Sequence, residues 1–130
     1  MEMRELLAVG LGGAIGSVLR HAMNVALLDR AAGSGFPLST LLVNLTGCLL
    51  IGLIVQAHQA EAISATGRLF LVTGLLGGLT TFSTFGHDTL RVADAHGWRL
   101  AVANVAANVL LGLAAVAIGI GLGRGWWPKG

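Results

Sequence analysis

The sequence predicts an all-helical integral membrane protein with four transmembrane helices in a single domain, residues 1–130. Of the 130 residues, 55% are hydrophobic and 11% are charged, whereas soluble domains carry about 25% charged residues. The apolar residues form four long stretches, and a helix of about 20 apolar residues crosses the hydrocarbon core. Basic residues divide evenly between the two membrane faces, which favours a dimer of two copies inserted in opposite orientations.

The four spans are expected at about Leu6–Leu28, Leu38–His58, Leu69–Val92 and Trp98–Leu122. Helices are the default because lipid offers no partners for open backbone groups, and the stretches lack the alternating pattern of barrel strands. Short connections containing glycine and proline separate the spans. The first span is too long for a signal peptide and three more follow it, so we expect it to remain part of the protein.

Composition also excludes some classes of protein. The net charge is +2, but the basic residues are scattered singly, which does not indicate nucleic-acid binding. Cys48 is the only cysteine, which excludes an intrachain disulfide and a cysteine-based metal cluster.

Small residues four positions apart predict close contacts between helices, since they allow two backbones to approach. Such pairs occur on the first, third and fourth spans: Gly12/Gly16, Gly74/Gly78 and Gly119/Gly123. The alternative is that a chain with 20 glycines contains these pairs by abundance alone.

The distribution of basic residues bears on orientation. Four spans place both termini on one side of the membrane, and each side then carries four basic residues: Arg4, Arg68, Arg124 and Lys129 on one, and Arg20, Arg30, Arg91 and Arg99 on the other. The positive-inside rule requires an excess on one side. The even split is either chance or a sign of dual topology, in which the chain inserts both ways and pairs with its inverted copy.

Polar residues within the spans recur at helical spacing. Thr40, Asn44 and Cys48 share one face of the second span, and Asn104 and Asn108 share one face of the fourth. The third span contributes a further set of hydroxyl groups, from Thr73, Thr80, Thr81, Ser83 and Thr84. Two interpretations remain open. These groups form inter-helix hydrogen bonds, or they line a polar path across the membrane.

The third span is expected to break near Gly77–Thr84, where two glycines precede a run of hydroxyl residues. A break exposes carbonyl groups, and those of Gly77 and Thr80 are suited to binding a small cation. Phe82 and Phe85 lie three apart and present electropositive ring edges to an anion. The alternative is a kinked structural helix whose two phenylalanines fill the core.

Two charged residues are placed where the vestibules of a pore would lie. Arg20 is in the last third of the first span, where it either attracts anions or anchors the helix at the interface. Asp88 ends the polar part of the third span.

Three segments closely resemble, in order and spacing, the signature segments of the Fluc fluoride channels (CrcB-like proteins). They are GGAIGSVLRH (12–21), STLLVNLTGCLLIG (39–52) and GLLGGLTTFSTFGHDT (74–89). The resemblance implies an antiparallel, dual-topology homodimer in the bacterial plasma membrane, with two pores along the dimer interface that pass fluoride passively. It also implies a structural sodium ion at the dimer centre, bound by carbonyls at the positions of Gly77 and Thr80 from both chains.

The resemblance also assigns residues to the pore. Asn44, Phe82 and Phe85 match pore residues, Ser83 and Thr84 match hydroxyls along the path, and Arg20 matches an arginine near the pore mouth. The resemblance and the polar stripes together give the expected pore residues: Thr40, Asn44, Thr81, Phe82, Ser83, Thr84, Phe85, Asn104 and Asn108. The chain departs from the family at four positions: relatives often carry a tyrosine where Asn104 stands, a serine at Asn108, a vestibule glutamate at Asp88 and an aromatic residue at His21.

The alternative function is a small dual-topology exporter, for multidrug or fluoride transport, that is coupled to protons. Such an exporter needs a carboxylate buried in the membrane, and all six acidic residues are expected at helix ends or in loops: Glu2, Glu5, Asp29, Glu61, Asp88 and Asp94. An enzyme is not expected, because sequence places no histidine in a neighbouring span beside Cys48.

Overall fold

The computed structural model describes residues 2–31 and 35–127, and every regular element within those ranges is a helix. The first span is Met3–Ala31 and the second is Leu38–Gln59. The third runs from Ala65 to His96 with an interruption, and the fourth is Trp98–Trp126. All four are long and apolar enough to cross a membrane, which confirms the predicted fold class. Lys129 and the side chain of Arg30, both used in the charge count, lie outside the described residues.

The helices extend a few residues beyond the apolar stretches that predict them. The first span begins at Met3 rather than Leu6, because Glu5 in the first turn accepts a bond from the backbone nitrogen of Glu2 at 3.1 Å and a carboxylate complements the positive end of the helix dipole. The third span begins at Ala65, where the hydroxyl of Ser64 accepts a hydrogen bond from the Gly67 nitrogen at 3.1 Å. Polar caps thus set these ends, outside the hydrophobic pattern.

The first span packs closely against the first half of the third. A Cβ added to Gly74 would lie 2.7 Å from the carbonyl oxygen of Val9, and one added to Gly78 would lie 2.5 Å from that of Gly13. Residue numbers increase in the same direction along both helices from one contact to the next, so the two helices run parallel. The glycine pairs of both spans are therefore used in helix packing, as predicted.

The second and fourth spans form an equivalent parallel pair. A Cβ on Gly52 would lie 2.5 Å from the carbonyl oxygen of Val116, and one on Gly123 would lie 2.6 Å from the Cβ of Gln56. The glycine pair of the fourth span therefore also allows close packing, as predicted.

A tight turn at Gly97 links the third and fourth spans. Its φ of +90° lies in the region that favours glycine, and it lets the fourth helix run back along the second half of the third. Val92, Ala93 and Ala101 form a buried cluster between them. This hairpin brings the polar residues of the third and fourth spans together.

Many large apolar side chains lie on the outside of the bundle. The buried core at the break is small, with Val43, Leu76 and Leu79 packed against partly buried neighbours. Exposed residues on the outer faces include Leu7, Leu11, Val18, Val102, Leu110 and Leu113. An outer surface of this kind suits hydrocarbon, where apolar side chains need no cover from water.

Candidate functional site

The third span is broken at two residues. Thr80 (φ −79°, ψ 159°) and Thr81 (φ −152°, ψ 118°) are extended, and a new helix, Phe82–His96, begins directly after them. The break falls within the predicted segment, but the predicted role of the glycines in unwinding it is wrong. Gly77 is helical (φ −62°, ψ −36°), and Gly78 belongs to the contact with the first span.

Asn44 of the second span holds the break open. Its Oδ1 accepts a hydrogen bond from the Thr81 backbone nitrogen at 3.1 Å, and its Nδ2 lies 3.5 Å from the Thr81 carbonyl oxygen. The hydroxyl of Thr81 caps the next helix by accepting from the Thr84 nitrogen at 3.1 Å. Groups that a continuous helix would pair internally are thus satisfied by side chains, which makes the extended residues stable at membrane depth.

These bonds release two backbone carbonyls from helical pairing. In a continuous helix the Gly77 carbonyl would accept from the Thr81 nitrogen, which here donates to Asn44. The Thr80 carbonyl would accept from the Thr84 nitrogen, which here donates to the Thr81 hydroxyl. Gly77 and Thr80 are the two residues predicted to bind a cation through their carbonyls. Among the described residues, no three His, Cys, Asp or Glu side chains cluster as metal ligands.

A groove of about 430 Å³ runs beside the break. Its polar lining comes from Asn44, Thr80, Thr81 and Asn108, and its apolar lining includes Phe82 and Phe85, whose ring centroids lie 5.6 Å apart at 52°. The side chain of Phe82 is 84% exposed in the single chain. The groove therefore combines hydrogen-bond donors with aromatic edges and is open on the side where Phe82 projects.

The amides of the fourth span connect to the groove through a chain of hydrogen bonds. Asn44 Nδ2 donates to Asn108 Oδ1 at 3.0 Å, and Asn108 Nδ2 donates to Asn104 Oδ1 at 3.1 Å. Asn104 Nδ2 donates to the Thr89 hydroxyl at 2.9 Å. The predicted inter-helix hydrogen bonding is present, and two of these amides, Asn44 and Asn108, also line the groove.

Asp88 lies further along the third span, outside the groove lining. Its Oδ2 accepts a hydrogen bond from the Thr40 hydroxyl at 2.7 Å, and its Oδ1 lies 3.6 Å from Arg91 and 3.9 Å from His87. The expectation that Asp88 marks a helix end is wrong in one respect, because it is inside the Phe82–His96 helix with a side chain only 13% exposed. It is nevertheless level with Thr40, near the start of the second span.

The structure brings some predicted site residues together and separates others. The groove lining includes Asn44, Thr81, Phe82, Phe85 and Asn108 together with the two predicted cation-binding positions. The other predicted residues are not part of the lining, although Ser83 and Thr84 contact the lining residue Thr81. The hydroxyl of Ser83 is 3.5 Å from that of Thr81, Thr84 accepts from Thr81 at 2.9 Å, and Arg20 is half-buried on the first span. Asn104 has no exposed surface and lies behind Asn108.

Sequence reasoning did not identify Thr89 or Asn24 as notable. Thr89 lies fifteen residues from the Asn104 that it contacts, and the helical hairpin that joins them is not visible in either span alone. Asn24 follows Arg20 by one helical turn, and its buried Oδ1 has no hydrogen-bond partner within the described part of the chain. The spacing of four residues places Asn24 on the same helix face as Arg20, and this spacing is the sequence feature that could have identified it.

The bundle and its groove define a small multi-pass membrane protein with a partly polar groove beside a broken helix. Residues 7–120 match the family described as CrcB-like protein, Camphor Resistance (CrcB). The chain belongs to this family, which confirms the resemblance seen in the three motifs.

Several relatives match over most of their length. A protein of Chloroflexus aurantiacus is 43% identical over 123 residues, which cover 94% of this chain and 97% of the relative. One of Desulfotalea psychrophila is 45% identical over 114 residues, 88% of each chain. One of Rhizobium meliloti is 44% identical over 125 residues, 94% of this chain and 98% of the relative. Each bears the name fluoride-specific ion channel FluC.

Proposed function

We propose that this protein is a fluoride channel of the bacterial plasma membrane that lets accumulated fluoride leave the cell passively. Neutral HF enters and ionises in the more alkaline cytoplasm, and the resulting gradient drives fluoride outward without ATP. Membership of the family and the names of the relatives support this function. The observation that carries it is the groove beside the broken third span, where amide, hydroxyl and aromatic groups meet.

The groove offers an anion several weak contacts instead of one strong site. The Asn44 amide supplies N–H donors, and the edges of Phe82 and Phe85 are electropositive. The helix Phe82–His96 begins at the groove, and its positive dipole end favours an anion. No Lys or Arg is part of the groove lining described here. An ion that has lost its water can therefore bind without being trapped, as conduction requires.

The pore requires a second copy of the chain, inserted in the opposite orientation. In one chain the groove is open on the side of Phe82, whose exposed ring would otherwise face lipid. An antiparallel partner would close the groove, and the two-fold axis would generate two equivalent pores. The even division of basic residues, four on each side, supports insertion in both orientations.

The structural sodium ion would be bound where the two released carbonyls lie. The carbonyls of Gly77 and Thr80 fit a hard monovalent cation, because oxygen ligands suit it and both have lost their helical donors. Two carbonyls are too few for a complete site, so the same pair from the partner would complete it. When bound, the ion supplies positive charge that holds the two broken helices together at the dimer centre.

A proton-coupled exporter remains the competing function, and Asp88 is the residue that could serve it. This carboxylate is largely buried and hydrogen-bonded to Thr40. An exporter would have to protonate Asp88 in each transport cycle. In the proposed channel the Asp88 charge is outside the groove lining and is not needed for a coupled step. The variant Asp88→Asn keeps a side-chain oxygen that can accept from Thr40, but it removes the negative charge beside Arg91 and cannot carry a proton through a transport cycle.

Reconstitution of the purified protein in liposomes tests the proposal. Vesicles are loaded with potassium fluoride or potassium chloride and diluted into buffer that lacks the loaded anion, and an electrode selective for that anion records efflux when valinomycin is added. We expect fast efflux that depends on valinomycin, is unaffected by a proton gradient and is absent when chloride replaces fluoride. Asp88→Asn should retain it. Proton-coupled exchange, loss of transport in Asp88→Asn, or no flux from the wild-type protein would reject the channel.

A further inference from the structure

We propose that Thr89 and Asn104 are positioning residues that act through Asn108 to fix the direction of the Asn44 amide beside the break. The effect on fluoride transport rests on the proposed function, whereas the hydrogen-bond relay itself does not. The relay runs Thr89, Asn104, Asn108, Asn44, and it joins two backbone groups whose hydrogen-bonding roles are fixed. These are the carbonyl of Phe85 at one end and the N–H of Thr81 at the other.

The Phe85 carbonyl fixes the orientation of the Thr89 hydroxyl, which is the first step of the relay. The Thr89 hydroxyl lies 2.7 Å from this oxygen, and a carbonyl only accepts, so the single hydroxyl proton of Thr89 is used there. The hydroxyl oxygen can then only accept from Asn104, 2.9 Å away. Asn104 must therefore turn its Nδ2 toward Thr89 and its Oδ1 toward the fourth-span neighbour, Asn108.

Asn108, in the middle of the relay, passes the amide orientation set at Asn104 on to Asn44 of the second span. Asn108 meets two acceptors on Asn104, the side-chain Oδ1 and the backbone carbonyl, both at 3.1 Å. Its Nδ2 must face them, which leaves Asn108 Oδ1 directed at Asn44. Asn44 accordingly presents Nδ2 to Asn108 at 3.0 Å.

The Thr81 end of the relay independently requires the same orientation of the Asn44 amide. The Thr81 backbone N–H only donates, and it lies 3.1 Å from Asn44 Oδ1. Reversing any one amide would place donor against donor or acceptor against acceptor at both of its contacts, and buried polar groups without partners are costly. The two ends agree, so the orientation of all three amides is determined by the network.

Burial separates the positioning residues from the groove. Asn104 is completely buried, and both polar atoms of its side chain are engaged in the relay. Asn44 and Asn108 border the groove. Because one N–H of Asn44 is committed to Asn108, the other is held in a constant direction beside the break, where the Thr81 carbonyl oxygen lies 3.5 Å from Nδ2. An anion in the groove would replace this long contact and meet a donor whose position does not vary.

The first experiment removes the direction-setting hydroxyl. Thr89→Val has nearly the same shape but cannot accept from Asn104, whereas Thr89→Ser keeps the hydroxyl and is the matched control. We expect fluoride efflux from liposomes to fall about fivefold in Thr89→Val, the equivalent of one net hydrogen bond, and to stay at the wild-type level in Thr89→Ser. Asn104→Ala should show the same loss. Equal efflux from Thr89→Val and Thr89→Ser would overturn the proposal.

A double-mutant cycle tests whether the effect passes through Asn108. In an Asn108→Ala background the relay is already cut, so adding Thr89→Val should reduce efflux no further. If the two substitutions instead reduce efflux independently, Thr89 and Asn104 do not act through Asn108.

A spectroscopic measurement separates the relay from the transport function. The chain has four asparagines, at positions 24, 44, 104 and 108, so 15N-asparagine labelling gives a simple set of side-chain NH2 signals that single substitutions assign. Thr89→Val should shift the Asn44 and Asn108 signals, and Thr89→Ser should leave them in place. An unmoved Asn44 signal in Thr89→Val would overturn the relay. Absence of fluoride flux in the wild-type protein with a shifted signal would reject the channel and retain the relay.

Discussion

The contact between the first and third spans gives the most quantitative prediction. In Gly74→Ala the new Cβ would lie 2.7 Å from the Val9 carbonyl oxygen, 3.0 Å from the Gly12 Cα and 3.1 Å from the Gly13 nitrogen. Ordinary contact begins at 3.4 Å, so the first helix must move by about 0.7 Å. All three atoms are backbone, and no side-chain rotation can relieve the overlap.

The energetic consequence follows from two opposing effects. Overpacking a well-fitted interface costs about 2 kcal/mol, while replacing glycine by alanine within a helix returns about 1 kcal/mol. We therefore expect Gly74→Ala to lower the free energy of unfolding by about 1 kcal/mol. Gly10→Ala is the matched control, because a Cβ there meets no atom within 4 Å, and it should raise the free energy of unfolding by about 1 kcal/mol.

The measurement is unfolding in mixed micelles, followed by far-UV circular dichroism as the SDS fraction increases. The transition of Gly74→Ala should come at lower SDS than that of the wild-type protein, and the transition of Gly10→Ala at the same or higher SDS. If Gly74→Ala unfolded together with Gly10→Ala, the two backbones would not be in close contact, and the parallel packing of the first and third spans would be refuted.

Three further predictions concern the pore, the cation and the orientation. Phe82→Ile and Phe85→Ile should keep the fold, because both rings border the open groove and neither is fully buried, but each should slow fluoride efflux about tenfold, which corresponds to about 1.4 kcal/mol added to the barrier; unchanged efflux would remove both rings from the pore. Replacing sodium by N-methylglucamine should lower the thermal stability of the dimer if the Gly77 and Thr80 carbonyls bind the ion, and identical melting in both buffers would contradict that site. Three lysines added to the C-terminus should bias insertion and reduce the dimer yield from membranes, and an unaffected yield would mean that the even charge count has no role.

The spans and their close contacts were predictable because the signals are local. Stretches of apolar residues determine where helices cross, and glycines at Gly74 and Gly78 allow backbones to meet wherever a partner helix is available. The break was also placed correctly within an eight-residue segment. Its cause was not, because adjacent glycines and hydroxyls suggested local unwinding, whereas Gly77 and Gly78 are helical.

The site itself depended on contacts between residues far apart in the sequence. Asn44 lies 37 positions before the Thr81 backbone that it pairs with, and Thr40 lies 48 positions before Asp88. The spacing of Asn104 and Asn108 predicted that both would border a polar path. The hairpin at Gly97 instead turns Asn104 toward Thr89 and buries it.

The sequence alone therefore determined that this chain is a four-helix membrane protein with a polar, interrupted third span, because hydropathy and helical spacing act within each segment. Only the tertiary structure decided which two residues leave the helix, which carbonyls are released and which amides face the groove. Those outcomes depend on hydrogen bonds between spans. A backbone group at membrane depth cannot hydrogen-bond to water. The helix can therefore be interrupted only where side chains, including one from a neighbouring span, pair with the backbone groups that the interruption leaves open.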